Sequence, residues 1–568
     1  MNMKANIKSF TKPVSVVGYC LLGMVASSCS DFLDILPMNE VVLENYWKEK
    51  VDVTSAVNGC YEALASEESM KRIGVWGEVR SDNVIAGAGT ENEINEILKE
   101  NIQPTNPLCD WSHIYTVINR CNIVCHYAPK VQELDPNYSY AEMKATIAEM
   151  TALRSLCYFY LIRTFRDVPY TTVPTISDDQ VFVLPATPFR DVVDSLINDL
   201  ERVKDDALRR TSQEKVSLNK VTVPTANNSR ITRWSIYALL ADLYLWKGDW
   251  DQTIRCCDAV LKYKKEIYDE LVQKDEFSDI VLYHDVPLVS ESLKGSTTVG
   301  EAYTSIFGRG NSFESLFELY FDGSVTPNNW VYTYFGNPNN TVGRLKAADF
   351  LMEGFDTGKN PLFISQTDCR AYENFMESGT SRAISKYVCS SSSFSLQSLG
   401  NVTVNSSYRS SRDANWIFYR TTDVMLMKAE ALIERNDTDF AAAFELINDV
   451  YCRANNISPD NTSKGLNFAT YSISKSKMED LLFDERQREF MFEGKRWFDL
   501  VRSAMRDDNT TRLSTSALRK HQQDVNVIRI KLTDPNYIYF PYAKKELKAN
   551  PLLHQNPAYN KGDEGVLK

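Results

Sequence analysis

The chain has 568 residues, of which 43% are hydrophobic and 24% are charged, and this composition is typical of a folded protein. Its formal net charge of −12 at pH 7 excludes non-specific binding of nucleic acid, which requires a basic surface. A chain of this length can bury a large hydrophobic core and allows more than one domain.

The first 28 residues predict a secretory leader. A lysine-rich start precedes the apolar run Val14–Val25, and the small residues Ala26–Ser28 lead into Cys29. A cysteine at this position is typical of lipoproteins, so we expect acyl chains on Cys29, each buried methylene adding about 0.8 kcal/mol of membrane affinity. Simple secretion, with an ordinary thiol at Cys29, is the alternative. Without the leader, 60 Lys and Arg face 75 Asp and Glu, which gives a net charge of −15.

Helical periodicity dominates the body of the chain. Apolar residues recur at three- and four-residue steps over residues 141–166, and Pro169 marks the end of that helix. A second helix is predicted over residues 188–209, packed against the first. Residues 231–263 have the length and residue placement of a tetratricopeptide hairpin, and residues 420–454 repeat the scheme. Such hairpins stack into a scaffold because one alone cannot bury its apolar face.

Two long stretches interrupt the helices, at residues 264–415 and 455–476, and both are rich in Ser, Asn, Gly, Thr and Tyr. Long irregular stretches in a compact fold are usually functional or carry short strands. We therefore predict a mainly α fold: a helical scaffold over about residues 40–263 and 416–568, with a loop-rich, ligand-binding insertion over about residues 264–415.

The sequence predicts neither a metal site nor a cofactor. Its cysteines lack a paired CxxC pattern, and it contains only five histidines. Cys121 and Cys125 are one helical turn apart and could contribute to a metal site near His126, but buried thiols are the favoured interpretation. The mature chain has no EF-hand spacing, nucleophile elbow, zinc-protease motif, P-loop or dinucleotide fingerprint.

The segment Glu485–Leu500 reads ERQREFMFEGKRWFDL. It is the most specific of several segments that resemble the SusD/RagB family of nutrient-capturing outer-membrane lipoproteins. The resemblance spans the mature chain, and the other matching segments are Cys29–Asp34, Leu153–Pro169, Arg420–Ala431, Phe540–Tyr542, Asn550–Leu552 and Gln555–Tyr559. In addition, Ser312–Glu318 resembles the family strand that leads into a ligand-lining loop.

The resemblance implies an α-helical protein with tetratricopeptide-like hairpins, anchored by lipid in the outer membrane and facing the cell exterior. It also implies that the protein binds oligosaccharides, passes them to a SusC-like TonB-dependent transporter, and has no catalytic activity. Some relatives bind peptides, so a peptide-binding RagB-like protein is one alternative. A lipid-anchored surface glycosidase and a pure protein-binding scaffold are the others.

A glycosidase hypothesis would rest on Glu485, Glu489 and Glu493, since glycoside hydrolysis uses paired carboxylates. These residues are expected on one helix face, among arginines and lysines that lower carboxyl pKa values, whereas a general acid requires a raised pKa. The segment therefore favours a structural lattice of ion pairs.

Carbohydrate binding uses aromatic faces against the C–H side of a sugar ring, together with polar groups for its hydroxyls. Aromatic and amide side chains are densest in residues 328–337, where Trp330, Tyr332 and Tyr334 would share one side if the segment is extended. Trp76 and Asn83 are the second candidate group. Residues 84–110 contain no aromatic residue, which favours a glycan recognised mainly by polar groups.

Overall fold

In a computed structural model of the protein, the described residues are 46–177, 180, 183–209, 215–218, 221–224, 229–272, 279–293, 296–339, 342–378, 381–396, 402–435 and 440–560. The chain divides into two compact units, Met1–Lys48 and Glu49–Lys568. Only residues 46–48 of the first unit are described, so the predicted leader and Cys29 lie outside the described residues. All the elements below belong to the second unit.

Helices form most of this unit. They are α1 Lys50–Ala65, α2 Glu67–Gly74, α3 Asn92–Leu98, α4 Ser112–Leu134, α5 Tyr140–Phe165, α6 Phe189–Val203, α7 Arg233–Lys247, α8 Trp250–Val272, α9 Glu301–Tyr303, α10 Arg370–Glu373, α11 Thr421–Arg435, α12 Ala441–Ala454, α13 Phe468–Tyr471, α14 Lys475–Phe490, α15 Arg496–Arg506, α16 Thr511–Leu518, α17 Val525–Leu532 and α18 Lys544–Ala549. None of these helices combines the length and the apolar composition that crossing a membrane requires.

The strands are short and pair only in small antiparallel sheets. They are β1 Val84–Ala86, β2 Lys215–Leu218, β3 Val221–Pro224, β4 Ile280–Tyr283, β5 Val286–Val289, β6 Thr298–Val299, β7 Ser315–Leu319, β8 Leu345–Ala347, β9 Phe375–Ser378, β10 Ser381–Ile384, β11 Cys389–Ser395, β12 Asn405–Tyr408 and β13 Trp416–Arg420. The sheets are β1–β8, β2–β3, β4–β5, β7–β13, β9–β10 and β6–β11–β12. The prediction of a mainly α fold with an inserted, strand-containing region is confirmed.

The predicted hairpins form close to their expected bounds. α5 packs on α4 and α6, α7 packs on α8, and α11 packs on α12. The turn between α7 and α8 uses Gly248, whose φ of +82° is a left-handed conformation that glycine adopts at little cost. α8 continues to Val272, so the helical scaffold extends beyond residue 263. The domain boundaries of the scaffold and the insertion otherwise stay a prediction.

α5 is the central helix of the scaffold. A capping box between Ser139 and Glu142 starts it, and every residue from Ala148 to Phe165 is buried. A helix buried on all faces lies inside the core. Tyr158 Oη donates to the Thr171 carbonyl at 2.8 Å, so the helix also fixes the segment that follows it.

Gly77 joins the N-terminal and C-terminal halves of the chain. It lies in a π-helical turn, Val75–Val79, that continues α2, and its backbone packs against that of Gly494. A Cβ at position 77 would lie 2.0 Å from the Gly494 carbonyl oxygen. Because both contacting groups are backbone, neither can move aside by changing a rotamer.

We expect Gly77→Ala to lower the free energy of unfolding by about 1–3 kcal/mol, through the clash with the Gly494 carbonyl. Gly59→Ala on α1 is the matched control, since the nearest atom to its Cβ would be Arg120 Nη1 at an ordinary 3.8 Å. That control should be neutral or stabilising by up to about 1 kcal/mol. Urea unfolding measures both, and equal stability of the two variants would contradict the close backbone contact.

Candidate functional site

The acidic residues of the Glu485–Leu500 segment are buried and paired, as predicted. At most 2% of the surface of Glu485, Glu489 or Glu493 is exposed. Glu489 accepts hydrogen bonds from Arg420 at 2.6 Å and Arg370 at 2.9 Å, and it also contacts Arg453. These bases come from β13, α10 and α12, so the lattice fastens the inserted region to the helices.

The pKa shifts of Glu489 and Glu493 are opposite to the shift that a general acid requires. Burial alone would raise the pKa of Glu489, but Arg453, Arg420 and Arg370 outweigh it and hold that pKa well below its usual range. Arg420 and Lys386 likewise outweigh burial and lower the pKa of Glu493. The prediction that all three glutamates share one helix face is wrong, because α14 ends at Phe490 and Glu493 lies in the following turn.

Trp76 and Asn83, predicted as glycan contacts, are both fully buried. Trp76 lies in the π-helical turn after α2, where its Nε1 donates to the Leu108 carbonyl at 2.9 Å. The Asn83 amide donates to Glu78 at 2.8 Å and accepts from Gln487 at 2.9 Å. This placement corrects the prediction, since neither side chain has a free face or hydrogen-bonding group for a sugar.

Trp330 and Tyr334 are also buried, with 1% and 5% of their surface exposed. The segment Val331–Phe335 is a π-helical turn and not an extended strand, so the predicted alternation of side chains is wrong. Four residues apart on this turn, the two rings stack with centroids 4.6 Å apart. The Trp330 ring lies directly on Gly74 of α2, where a Cβ would come within 2.1 Å of it. Trp330 is therefore a packing platform between α2 and the insertion.

Tyr332 is half-buried, and it lies on the accessible side of this turn. The Arg412 guanidinium carbon lies 4.5 Å from the centroid of the Tyr332 ring. Arg412 also donates to Asn329 Oδ1 at 2.7 Å, and Asn329 donates to Glu67 at 2.8 Å. A carboxylate, an amide, a guanidinium group and an aromatic ring are thus joined in one chain of contacts at the surface.

A second set of polar side chains lies beside the stacked rings of Trp330 and Tyr334. The Tyr334 hydroxyl donates to Glu91 at 2.8 Å, and Glu91 also contacts Arg344 and, at 3.8 Å, Lys71. Lys71 is one helical turn from Glu67 on α2, so the same helix borders both polar groups. The polar-aromatic surface defined here consists of Glu67, Lys71, Glu91, Asn329, Tyr332, Tyr334, Arg344 and Arg412.

Loop-to-loop hydrogen bonds hold this surface in place. Asn328 donates its side-chain amide to the Ala414 carbonyl and its backbone N–H to the Arg412 carbonyl, both at 2.7 Å. These bonds fix the turn bearing Tyr332 against the loop bearing Arg412. Of the predicted residues, only Tyr332 and Tyr334 belong to the surface. Glu67 and Arg412 could not be found by sequence reasoning, because each lies in an ordinary polar stretch.

The polar-aromatic surface has hydrogen-bond donors and acceptors close together. A ligand rich in hydroxyl groups requires both, because each hydroxyl can donate and accept a hydrogen bond. Within the described ranges, no group of three His, Cys, Asp or Glu side chains could hold a metal ion. The ten described cysteines are free thiols, and all except the half-buried Cys125 are buried. Such a surface suits recognition of a polar ligand.

Comparison with known proteins gives consistent matches over most of the chain. The SusD family model matches residues 328–559, and a model described as starch-binding associating with outer membrane matches residues 31–245. SusD-like protein P38 of Formosa agariphila is 24% identical over 516 residues, covering 87% of this chain and 92% of that protein. SusD-like protein P25 of the same organism is 23% identical, covering 96% and 99%.

Solved structures show the same fold. A SusD superfamily protein from Bacteroides thetaiotaomicron is 20% identical with a TM-score of 0.60, and the match covers 90% of this chain and 99% of that one. A laminarin-binding SusD-like protein is also 20% identical, with a TM-score of 0.59 and coverage of 90% and 100%.

Proposed function

Because this chain belongs to the SusD family, we propose that it captures oligosaccharides at the cell surface and delivers them to a SusC-like TonB-dependent transporter. Support comes from a matching model described as starch-binding and from a structural neighbour that binds laminarin. The buried, ion-paired state of the acidic segment supports binding without catalysis. Anchoring through lipid on Cys29, with the body facing the exterior, is part of the proposal.

The observation that carries the proposal is the polar-aromatic surface. Tyr332 provides an accessible ring, and Asn329 and Arg412 provide hydrogen-bonding groups beside it. A sugar that packs its C–H face on the ring would bring its hydroxyls to the amide and the guanidinium group. Because the accessible aromatic area at this surface is small, we expect a glycan recognised mainly through its hydroxyl groups.

Tyr332→Ala and Arg412→Ala should each weaken glycan binding by about fivefold to a hundredfold. The first removes the ring, and the second removes a charged hydrogen-bond donor. Calorimetric titration with a panel of neutral oligosaccharides and short peptides measures the affinities. Tyr140→Ala and Arg435→Ala are matched surface controls, because Tyr140 is 62% exposed and the Arg435 side chain 41% exposed, both away from this surface.

Unchanged affinity in both site variants would reject the assignment of this surface. Saturable binding of peptides alone would instead support the RagB-like alternative, and hydrolysis of a glycan by the purified protein would support the glycosidase. The absence of saturable binding to any oligosaccharide or peptide would favour the remaining alternative, a protein-binding scaffold.

A further inference from the structure

The C-terminal region has a charge opposite to that of the rest of the protein. Between Arg512 and Lys548 there are eight Lys and Arg residues and three Asp and Glu residues, a net charge of +5. The mature chain carries −15 in total. Some of these bases are used internally: Arg512 pairs with Asp480 at 2.7 Å, and the half-buried Lys520 donates to the Ser81 carbonyl at 2.6 Å. Lys545 pairs with Asp110 at 2.7 Å and Arg519 with Asp82 at 3.6 Å. The exposed bases of this region that form no ion pair among the described residues are Arg529, Lys544 and Lys548.

α17 presents aliphatic side chains on the same exposed side as a base. Val527 is 53% exposed and Ile530 is 72% exposed, and Arg529 between them is exposed. The opposite side of the helix holds the buried Ile528 and Leu532. Asp524 at the start of the helix and Asp534 just after its end are the nearest acidic residues along the chain. Water-facing Val and Ile at helical spacing leave an apolar face with no partner among the described residues.

The turn at residues 99–104 carries one base, Lys99, and contacts both α17 and α18. Lys531 of α17 donates to the Glu100 carbonyl at 2.7 Å, and the backbone N–H of Lys544 of α18 donates to the Pro104 carbonyl at 2.9 Å. Lys99 on the turn is exposed. The Glu100 carboxylate is fully buried against Arg80, so it does not neutralise the outward bases.

α18 adds two further cations. Lys544 and Lys548 are exposed and one helical turn apart, and neither forms an ion pair within the described part of the chain. We define the basic-apolar face as Lys99, Val527, Arg529, Ile530, Lys544 and Lys548. Exposed aliphatic side chains together with exposed Lys and Arg are typical of a protein surface that binds an anionic membrane.

We propose that the basic-apolar face lies against the anionic lipid surface of the membrane, with the bases on headgroup phosphates and Val527 and Ile530 at the interface. An acidic polysaccharide fits less well, because neither α17 nor α18 contains an aromatic residue for a sugar ring. The inference rests on the proposed membrane anchoring but not on glycan binding. One lipid signal plus a basic patch binds a membrane more firmly than either alone.

The test uses the chain from residue 30 to residue 568 without lipid, which retains the whole compact unit Glu49–Lys568. Flotation with vesicles of 70% phosphatidylcholine and 30% phosphatidylglycerol should show binding, and vesicles of phosphatidylcholine alone should show much less. Arg529→Glu and Lys544→Glu should each weaken binding by about fivefold or more, since a base near an anionic surface contributes about that factor. Val527→Ser with Ile530→Ser should weaken binding as well.

Lys464→Glu and Ile473→Ser are matched controls on exposed residues elsewhere, and they should bind like the parent. Equal binding to neutral and anionic vesicles, or no effect of the face variants, would overturn the proposal. The proposal would also be overturned if the protein bound a soluble acidic polysaccharide as strongly as it binds anionic vesicles, and if the Val527→Ser and Ile530→Ser changes did not weaken that binding. Glycan titration of the same variants should be unchanged, which separates this face from the polar-aromatic surface.

Discussion

Glu489→Gln is expected to lower the free energy of unfolding by about 3–5 kcal/mol. The substitution leaves the side chain nearly isosteric but removes the one negative charge shared by Arg370, Arg420 and Arg453. Each guanidinium group is at most 4% exposed, so water cannot replace the lost partner. Urea unfolding followed by far-UV circular dichroism measures the change.

The pH dependence of stability gives a second readout of the same variant. A carboxyl whose pKa is depressed in the folded state contributes stability above its unfolded pKa, and that stability is lost as the pH falls toward the folded value. The parent protein should therefore lose stability as the pH falls below the ordinary glutamate pKa, and the Glu489→Gln variant should lose less over that range. An identical acid dependence would contradict the role assigned to Glu489.

Glu133→Gln on the exposed end of α4 is the matched control, and we expect a change within about 0.5 kcal/mol. The comparison also tests the glycosidase alternative. An enzyme that used Glu489 as a catalytic group would keep its stability in the glutamine variant and lose turnover. A structural lattice loses stability instead.

The helices could be predicted because their signal is local. The predicted range 141–166 compares with α5 at Tyr140–Phe165, and the predicted hairpin at 420–454 compares with α11 and α12, which span Thr421–Ala454. Apolar periodicity and caps lie within each helix, so one sequence suffices to find them. The pairing β1–β8 joins residues more than 250 positions apart, and no local pattern indicates it.

The candidate site could be predicted only in part, because the sequence around an aromatic residue does not show whether its ring is buried. Trp330 lies in a polar, loop-like stretch, yet Gly74, more than 250 residues earlier, leaves the space that its ring fills. The accessible residues Glu67 and Arg412 come from distant segments and meet only through Asn329. In the predicted segment, 328–337, the Trp330 ring is buried and serves packing, whereas Tyr332 is half-buried and accessible.

Trp330→Ala is expected to lower the free energy of unfolding by about 3–5 kcal/mol, the usual cost of truncating a large buried aromatic side chain. The ring stacks on Tyr334, meets Phe335 edge-on with centroids 5.7 Å apart, and covers Gly74. Its Nε1 has no hydrogen-bond partner among the described residues, so packing accounts for the contribution. The variant should also bind glycan more weakly, because the turn carrying Tyr332 loses its support.

Trp330→Phe separates support from direct contact with the ligand. A phenylalanine ring fills part of the space over Gly74 and keeps the stacking on Tyr334, so a smaller loss of stability and near-parental glycan affinity are expected. If Trp330 itself touched the sugar, the phenylalanine variant would lose affinity while remaining folded. Measuring unfolding by urea and affinity by calorimetry on both variants distinguishes these cases. Because the ring is 1% exposed, we expect affinity to follow the stability of the turn rather than the identity of the ring.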